Sequence, residues 1–297
     1  MMKRISLLTD SRYTNPTDPP LLVQQVLDEE ALLMDALEKR GCRVDRVSWD
    51  DKHIKWADRD LCVIRSTWDY QDRMEDFLPW LDRIEKQTSL CNPADMVRWN
   101  LDKNYLSDLE QKGIRIPPSR FIRKGENRSL AEHLEGCGWK EAVLKPVVSA
   151  GAKHTYRFRM DEADVLEPTF HILVEDEAMM LQEFMPSVLD QGELSLVMIG
   201  GRFSHAVRKN PNPGDYRVQD DFGGSFSLSE ADTETIDFAR SVLEACGGNP
   251  AYARVDILRD EQGQALLSEV ELIEPELWFR LHPQGAEELA EVLLQEL

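Results

Sequence analysis

Residues 5–9 (ISLLT) form a short apolar run that predicts a buried strand, and apolar groups then recur at helical spacing over 24–40 until Gly41 stops the pattern. CRVDRVSW (42–49) alternates like a strand. A second apolar run, DLCVIRS (60–66), precedes a helical pattern from about Met74 to Lys86 and a short strand at Ser89 to Cys91. Strand and helix in alternation predict a small parallel α/β unit over residues 1–94. Ligands of such sheets sit at the C-terminal ends of strands. Asp10 to Tyr13 and the RSTWDY loop, with Arg65, Ser66, Trp68 and Asp69, are therefore candidate walls of a substrate site. Ordinary loop residues around a buried Trp68 are the alternative. No Gly-x-Gly-x-x-Gly follows the first strand, which argues against a dinucleotide site.

Asn92-Pro93 closes this unit, and a helix is expected at about Asn100 to Lys112, ended by Gly113 and the Pro117-Pro118 pair. Short strands follow: AVLKPVV, HTYRFRM, AMMLQEFM, ELSLVMI, RFSHAVRK, AYARVDIL and ALLSEVELI, with helical segments near 128–136, 230–246 and 284–296. Two α+β subdomains, 95–181 and 182–297, account for this pattern. The expected fold class is thus α/β followed by α+β.

AYARVDIL and ALLSEVELI flank a turn-forming segment, Arg259 to Gln264, and predict an antiparallel hairpin. Alternation puts Arg254 and Asp256 on one face and Val255 and Ile257 on the other, with Glu269 and Glu271 opposed to Val270 and Leu272. A register pairing Asp256 with Glu269 places Arg254 opposite Glu271. Carboxylates gathered on neighbouring strands repel unless a cation or an Arg relieves them. Mg²⁺ prefers such oxygen ligands and shares them with substrate phosphates. A solvated charged face is the alternative.

Composition narrows the partners. A formal net charge of −20 over 297 residues repels polyphosphate backbones and anionic membrane surfaces, so nucleic acid and membrane partners are not expected. A phosphate ligand must be met by local Lys and Arg or by a metal. Lys145, inside an apolar strand, is costly to bury unless it meets an anion, although a snorkelling Lys also fits. Five cysteines without a Cys-x-x-Cys pair suit a reducing cytoplasm. The apolar start is broken at Thr9 and Asp10, too early for a signal peptide.

The hairpin RVDIL…SEVE resembles the metal-binding end of the ATP-grasp superfamily, which shows Arg-x-Asp and then Glu-x-Asn; Glu271 stands in the usual Asn position. NLDKNYLSDLEQKGIRIPPS is similar to the helix and proline turn that opens the grasp, and VLKPVVSAGAKHTYRF to its strand lysine and phosphate loop. The resemblance implies phosphate contacts from Lys103, Lys145 and the Ser149-Ala150-Gly151 segment. MMLQEFMPSV resembles the adenine-holding hinge, implying nucleotide roles for Gln182, Glu183, Phe184 and Met185, with Glu193 near the ribose. Arg217, Gln219, Gly223 and Gly224 fit the Arg-x-Asn-x-x-x-Gly-Gly loop of the glutathione synthetase branch. Arg208 and Arg217 would then bind the substrate carboxylate or the transferred phosphoryl group, and Arg254 the oxyanion. Asp256, Glu269 and Glu271 would hold one or two Mg²⁺ ions, Mn²⁺ being a substitute.

With RSTWDY and EVELIEPELWF added, the texture is most similar to the O-ureido-serine cyclo-ligases of cycloserine biosynthesis. The implied activity is an ADP-forming ATP-grasp ligase joining a small-molecule carboxylate to an amine through an acyl phosphate, intramolecularly in a cyclo-ligase. A peptide ligase of glutathione synthetase type, a kinase that stops at phosphorylation and a nucleotide-binding protein without turnover are the alternatives. A homodimer is the default expectation for its assembly.

Overall fold

The computed structural model describes residues 2–149, 151, 153–218 and 222–297; Ala150 and Gln219, named above, lie outside the described residues. Among the described residues no helix is long and apolar enough to cross a membrane. The chain begins with β1 (Arg4–Thr9), α1 (Leu21–Lys39), β2 (Arg43–Ser48), β3 (Leu61–Ser66), α2 (Met74–Ile84) and β4 (Ser89–Cys91). Their sheet runs β2-β1-β3-β4 and is parallel throughout. ISLLT and LCVIRS are its central strands, and they read as continuous apolar runs because both faces are covered. Ile5, Leu7 and Val63 pack with Leu33 and Leu37 of α1. Leu8, Cys62 and Ile64 pack on the other side with Phe77, Trp80 and Leu81 of α2.

The helix expected over 100–112 is instead two, α3 (Ala94–Asn100) and α4 (Tyr105–Gln111). The Asp102 carboxylate accepts the Asn104 N–H at 2.8 Å, and the Lys103 N–H goes to the Val147 carbonyl at 2.8 Å. Those bonds compete with the helical ladder and break it. Lys103 consequently sits in a turn, facing a cleft.

Next come β5 (Ser119–Ile122), α5 (Leu130–Leu134), β6 (Glu141–Pro146), β7 (Tyr156–Arg159), α6 (Ala163–Asp176) and β8 (Met179–Glu183). They form an antiparallel sheet ordered β5-β8-β6-β7. No helix is expected from the sequence over 163–176, where Pro168 interrupts the pattern. Burial of Ala163, Phe170, Leu173 and Val174 in the core of this unit outweighs the helix-breaking cost of the proline, about 3 kcal/mol. Strand β8 runs to Glu183, so the subdomain boundary expected at 181/182 falls inside it.

The remainder comprises α7 (Ser187–Gln191), β9 (Glu193–Ile199), β10 (Arg202–Asn210), β11 (Ser225–Ser229), α8 (Thr233–Ala245), β12 (Tyr252–Arg259), β13 (Ala265–Glu271) and α9 (Gln284–Gln295). Its antiparallel sheet has the order β11-β10-β9-β12-β13. One face buries Leu196, Met198, Val255, Ile257 and Val270 against Ala239, Val242 and Leu243 of α8. The other face changes character along its length. Val197, Ile199, Val207 and Tyr252 join the core under α1 and α9, while the opposite end carries Glu193, Ser195, Lys209, Arg254 and Asp256.

Asn92 joins the units: its amide donates to the carbonyls of Tyr252 (2.9 Å) and Leu272 (2.7 Å) and its oxygen accepts the Ala251 N–H (2.8 Å), all buried. Asn92→Ala leaves those three backbone groups unpaired in a dry junction. A loss of about 2–4 kcal/mol is expected in urea unfolding, with the slope unchanged.

Candidate active site

The hairpin turn closes as its residues dictate: Asp260 Oδ1 accepts the N–H groups of Gln262 (2.9 Å) and Gln264 (2.7 Å), and Gly263 adopts φ +77°. The register pairs Asp256 with Glu269 and Arg254 with Glu271. Between Asp256 and Ile257 the partner steps from Glu269 to Leu267, leaving Ser268 as an extra residue in a bulge. With Val255, Val270 and Leu272 in the core, the charged positions of both strands share the cleft face.

Asp256 is the centre of that face. It accepts hydrogen bonds from Ser195 Oγ (2.6 Å), Lys209 Nζ (2.9 Å), Arg254 Nε (3.0 Å) and Arg254 Nη2 (3.0 Å). Lys209 also pairs with Glu193, and Arg254 with Glu271. Lys103 Nζ lies 3.1 Å from Glu269 and donates to the Ser149 carbonyl at 2.5 Å. Burial alone would raise the pKa of Asp256, but Arg254 and Lys209 hold it well below the usual carboxylate range. Glu269 is likewise held low against its burial by Lys103 and Lys145.

Two carboxyls go the other way. Burial, with the charges of Asp256 and Glu269, pushes Glu271 up to about 7 despite Arg254, although 30% of its side chain stays exposed. Glu274, just past the hairpin, is pushed up to about 8 by burial and Glu271. Lys145 is held below its ordinary value by burial, against the attraction of Glu269.

Across the cleft, β6 presents Val143 and Lys145. Val143 belongs to an apolar cluster with Phe184, Met185, Val188, Tyr216, Val218 and Leu258, which joins the two antiparallel sheets. The Arg157 guanidinium lies 3.7 Å from the Phe184 ring centroid. The Phe184 N–H is bound by the Glu141 carbonyl at 3.0 Å and the Glu183 N–H by Pro118 at 2.8 Å. Two antiparallel sheets thus clasp a slot that is apolar on one side and lined by Lys103, Lys145, Lys209 and Arg254 on the other.

Residues 5–92 match the family described as D-cycloserine synthetase DcsG, N-terminal domain, and residues 123–270 match that described as prokaryotic glutathione synthetase, ATP-grasp domain. The chain belongs to the ATP-grasp ligases. It is 27% identical over 282 residues to the cycloserine biosynthesis protein DcsG of Streptomyces lavendulae, covering 89% of this chain and 92% of that protein. The crystal structure of D-cycloserine synthetase DcsG superposes with a TM-score of 0.86 at 26% identity, over 98% of this chain and 99% of that one. A D-alanine–D-alanine ligase from Bacillus anthracis in complex with ATP shares the fold, with a TM-score of 0.68 at 15% identity over 99% and 97% of the two chains.

ATP-grasp ligases use ATP and typically Mg²⁺, and the carboxylates fit that metal in part. Glu269 and Glu271 each keep one oxygen outside their ion pairs, which suits an ion that takes few protein ligands beside phosphates. Asp256 has both oxygens engaged by Ser195, Lys209 and Arg254. Among the described residues, no three His, Cys, Asp or Glu side chains are gathered at metal-ligand spacing.

The structure brings Lys103, Lys145, Ser149, Glu193, Arg254, Asp256, Glu269 and Glu271 together. Arg208 lies on the opposite face of β10, its guanidinium bound to the Gln191 carbonyl at 2.6 Å, and its neighbour Lys209 takes the place in the cluster. Arg217 is held by Asp215, Nη2 to Oδ2 at 2.7 Å, and lies 3.6 Å from the Phe222 centroid. Gln182 is buried, donating to Ser119 Oγ at 3.0 Å, and Gly151 is exposed at φ +61°. In the RSTWDY loop Arg65 and Ser66 are buried, Trp68 donates to the Glu274 carbonyl at 3.1 Å, and Asp69 accepts from Trp49 at 2.7 Å. Sequence reasoning missed Lys209, Ser195 and Glu274. Alternation along β10 was the available signal, but Ala206 and Val207 are both apolar, so it did not say which face was the cleft.

Glu274 gives a pH test. Its folded pKa of about 8 exceeds the ordinary 4.5, so between those values the native state binds more protons than the unfolded one and stability falls as pH rises. Glu274→Gln is expected to raise the melting temperature at pH 8 and to lose that advantage near pH 5, measured by thermal unfolding without nucleotide.

Proposed function

We propose that the protein is a carboxylate–amine ligase that forms an amide through an acyl phosphate, acting on a small amino-acid derivative. The observation that carries this reading is the convergence of Lys103, Lys145, Lys209 and Arg254 on one cleft with Glu269 and Glu271. Such a site suits phosphoryl transfer, in which catalysis is mostly positioning and charge stabilisation. The apolar cluster around Phe184 and Met185 would hold the adenine ring, with Gln182 and Glu183 at its edge and Glu193 towards the ribose. Lys103, Lys145 and the loop of Ser149 and Gly151 would bind phosphates. Bound Mg²⁺, on Glu269 and Glu271, with Asp256 if it gives up one of its own partners, would neutralise charge on the phosphates.

A substrate carboxylate oxygen attacks the γ-phosphorus, the bond to ADP breaks, and Arg254 stabilises the charge that develops. An amine nitrogen then adds to the acyl carbon. The carbon–oxygen bond to phosphate breaks, the nitrogen gives up a proton, and amide and phosphate are released. The likeness to a protein named for cycloserine biosynthesis supports a substrate carrying both groups, so that the amide closes a ring. Arg65, Ser66, Trp68 and Asp69 would border that substrate, with Arg208 and Arg217 reaching the cleft only if they leave their present partners.

ADP release with amino acids and dipeptides, with and without hydroxylamine as acyl-phosphate trap, tests this. Ligation predicts hydroxamate and amide; a kinase gives ADP and a phosphorylated acid without amide. A ring amide formed from a single substrate with no added amine, together with ADP, identifies cyclisation. Arg254→Met and Lys145→Met are expected to lower kcat by about 10²–10³. The metal assignment fails if Glu269→Gln keeps full Mg²⁺-dependent turnover.

A further inference from the structure

Trp278 carries features that packing alone does not require. It is 1% exposed, its backbone lies in the left-handed region at φ +51°, and its buried indole N–H has no hydrogen-bond partner among the described residues. That conformation is an outlier for a bulky side chain, and an unpaired buried donor is costly. A phenylalanine ring would fill most of the same volume without the donor. Outliers of this kind persist only where their surroundings over-determine them, and they cluster at functional sites. Here the Leu277 N–H is bound by Glu29 Oε1 and the Leu277 carbonyl by His205 Nε2, each at 2.8 Å. The Trp278 carbonyl accepts the N–H groups of Leu281 (2.8 Å) and His282 (3.1 Å). An ion pair between Glu276 and Arg280 spans the turn.

Arg254 lies over this ring. The guanidinium is 5.1 Å from the Trp278 ring centroid, and the Phe226 centroid is 5.9 Å away on another side. The indole covers the five-stranded sheet where Val197, Val207 and Tyr252 give way to Lys209, Arg254 and Asp256. Asp256 and Glu271 grip the guanidinium through Nε and Nη2, and among the described residues Nη1 makes no hydrogen bond. Those partners are carboxylates, which a proton or a metal ion can also claim. The ring attracts the cation through its π face and competes with neither, and indole is the strongest aromatic side chain in this role. That gives a physical reason for tryptophan where phenylalanine would pack.

We propose that Trp278 is a positioning residue for group transfer: its ring holds one face of the Arg254 guanidinium and keeps water from it, so that the unengaged edge stays available to the cleft. The proposal deepens the ligase reading, in which Arg254 stabilises the charge that develops on the transferred group. A donor that is preorganised and partly desolvated stabilises such charge far better than one free to tilt. Weakening the ring's attraction therefore lowers the fraction of enzyme with Arg254 aligned, and kcat falls with that fraction while ATP binding does not.

Fluorine draws electron density from the indole face with little change in shape, so fluorotryptophans placed at position 278 alone separate attraction from packing. ADP release is measured with Mg-ATP, hydroxylamine and whichever of the D and L forms of alanine, serine and aspartate turns over fastest. Across the series from tryptophan to tetrafluorotryptophan, kcat should fall steadily by about tenfold, with KM for ATP unchanged to within about twofold. The second measurement is urea unfolding of the protein without nucleotide or metal, with Arg254 or with Arg254→Met. Tetrafluorotryptophan should lower the folding constant at least about fivefold more with Arg254 than with Arg254→Met; effects of fluorine on packing are common to both and cancel. A flat kcat across the series overturns the proposal, as does an equal loss of stability in both backgrounds. If Arg254→Met does not fold, Arg254→Gln takes its place. Absence of ADP release with every acid counts against the ligase reading instead, and the unfolding comparison then decides alone whether Trp278 holds Arg254.

Discussion

A carboxylate cannot lie almost wholly buried between β-strands unless charge and hydrogen bonds surround it. Asp256 meets that condition from three strands at once, through Ser195 on β9, Lys209 on β10 and Arg254 on its own strand β12. The rest of the site is arranged around it. Lys209 carries the network to Glu193, and Arg254 carries it to Glu271 on β13. Ser195, Lys209 and Arg254 are each held by Asp256, and Lys209 and Arg254 by a second carboxylate as well, which leaves them little freedom to rearrange.

The same five-stranded sheet serves as hydrophobic core at one end and as the floor of the charged candidate site at the other. Tyr252 and Val197 pack under α1 and α9, and a few residues along the same face the surface becomes ionic. This ties the N-terminal parallel unit to the ATP-grasp floor by a shared core rather than by a linker. Asn92, bridging three backbone groups across that junction, and Trp68, bound to the Glu274 carbonyl, keep the RSTWDY loop in fixed relation to the hairpin. Positioning of this kind is what phosphoryl and acyl transfer demand from a protein.

Charge is distributed unevenly within the site. Asp256 and Glu269 are compensated by resident cations and stay ionised, whereas burial, reinforced by neighbouring carboxylates, makes Glu271 and Glu274 hold their protons more tightly. A divalent cation bound beside them would favour their ionised forms, which would link metal binding to the protonation of the hairpin.

The sequence by itself determined what depends on local order. Strand alternation and the Asp260–Gly263 turn set the hairpin register, and the apolar runs set the parallel unit. The motif order from Lys103 to Glu271 gave the family. Tertiary structure decided the rest. It split the helix expected over 100–112, because the Lys103 N–H is claimed by Val147, and it kept α6 helical through Pro168, because four of its side chains fill a core. It chose Lys209 over Arg208, since either residue of that pair could face the cleft and only the pairing of β10 with β9 settles which does. Glu29 and Glu274 became visible only when distant segments closed over them, for their burial is a property of the packed chain and not of the residues beside them in sequence.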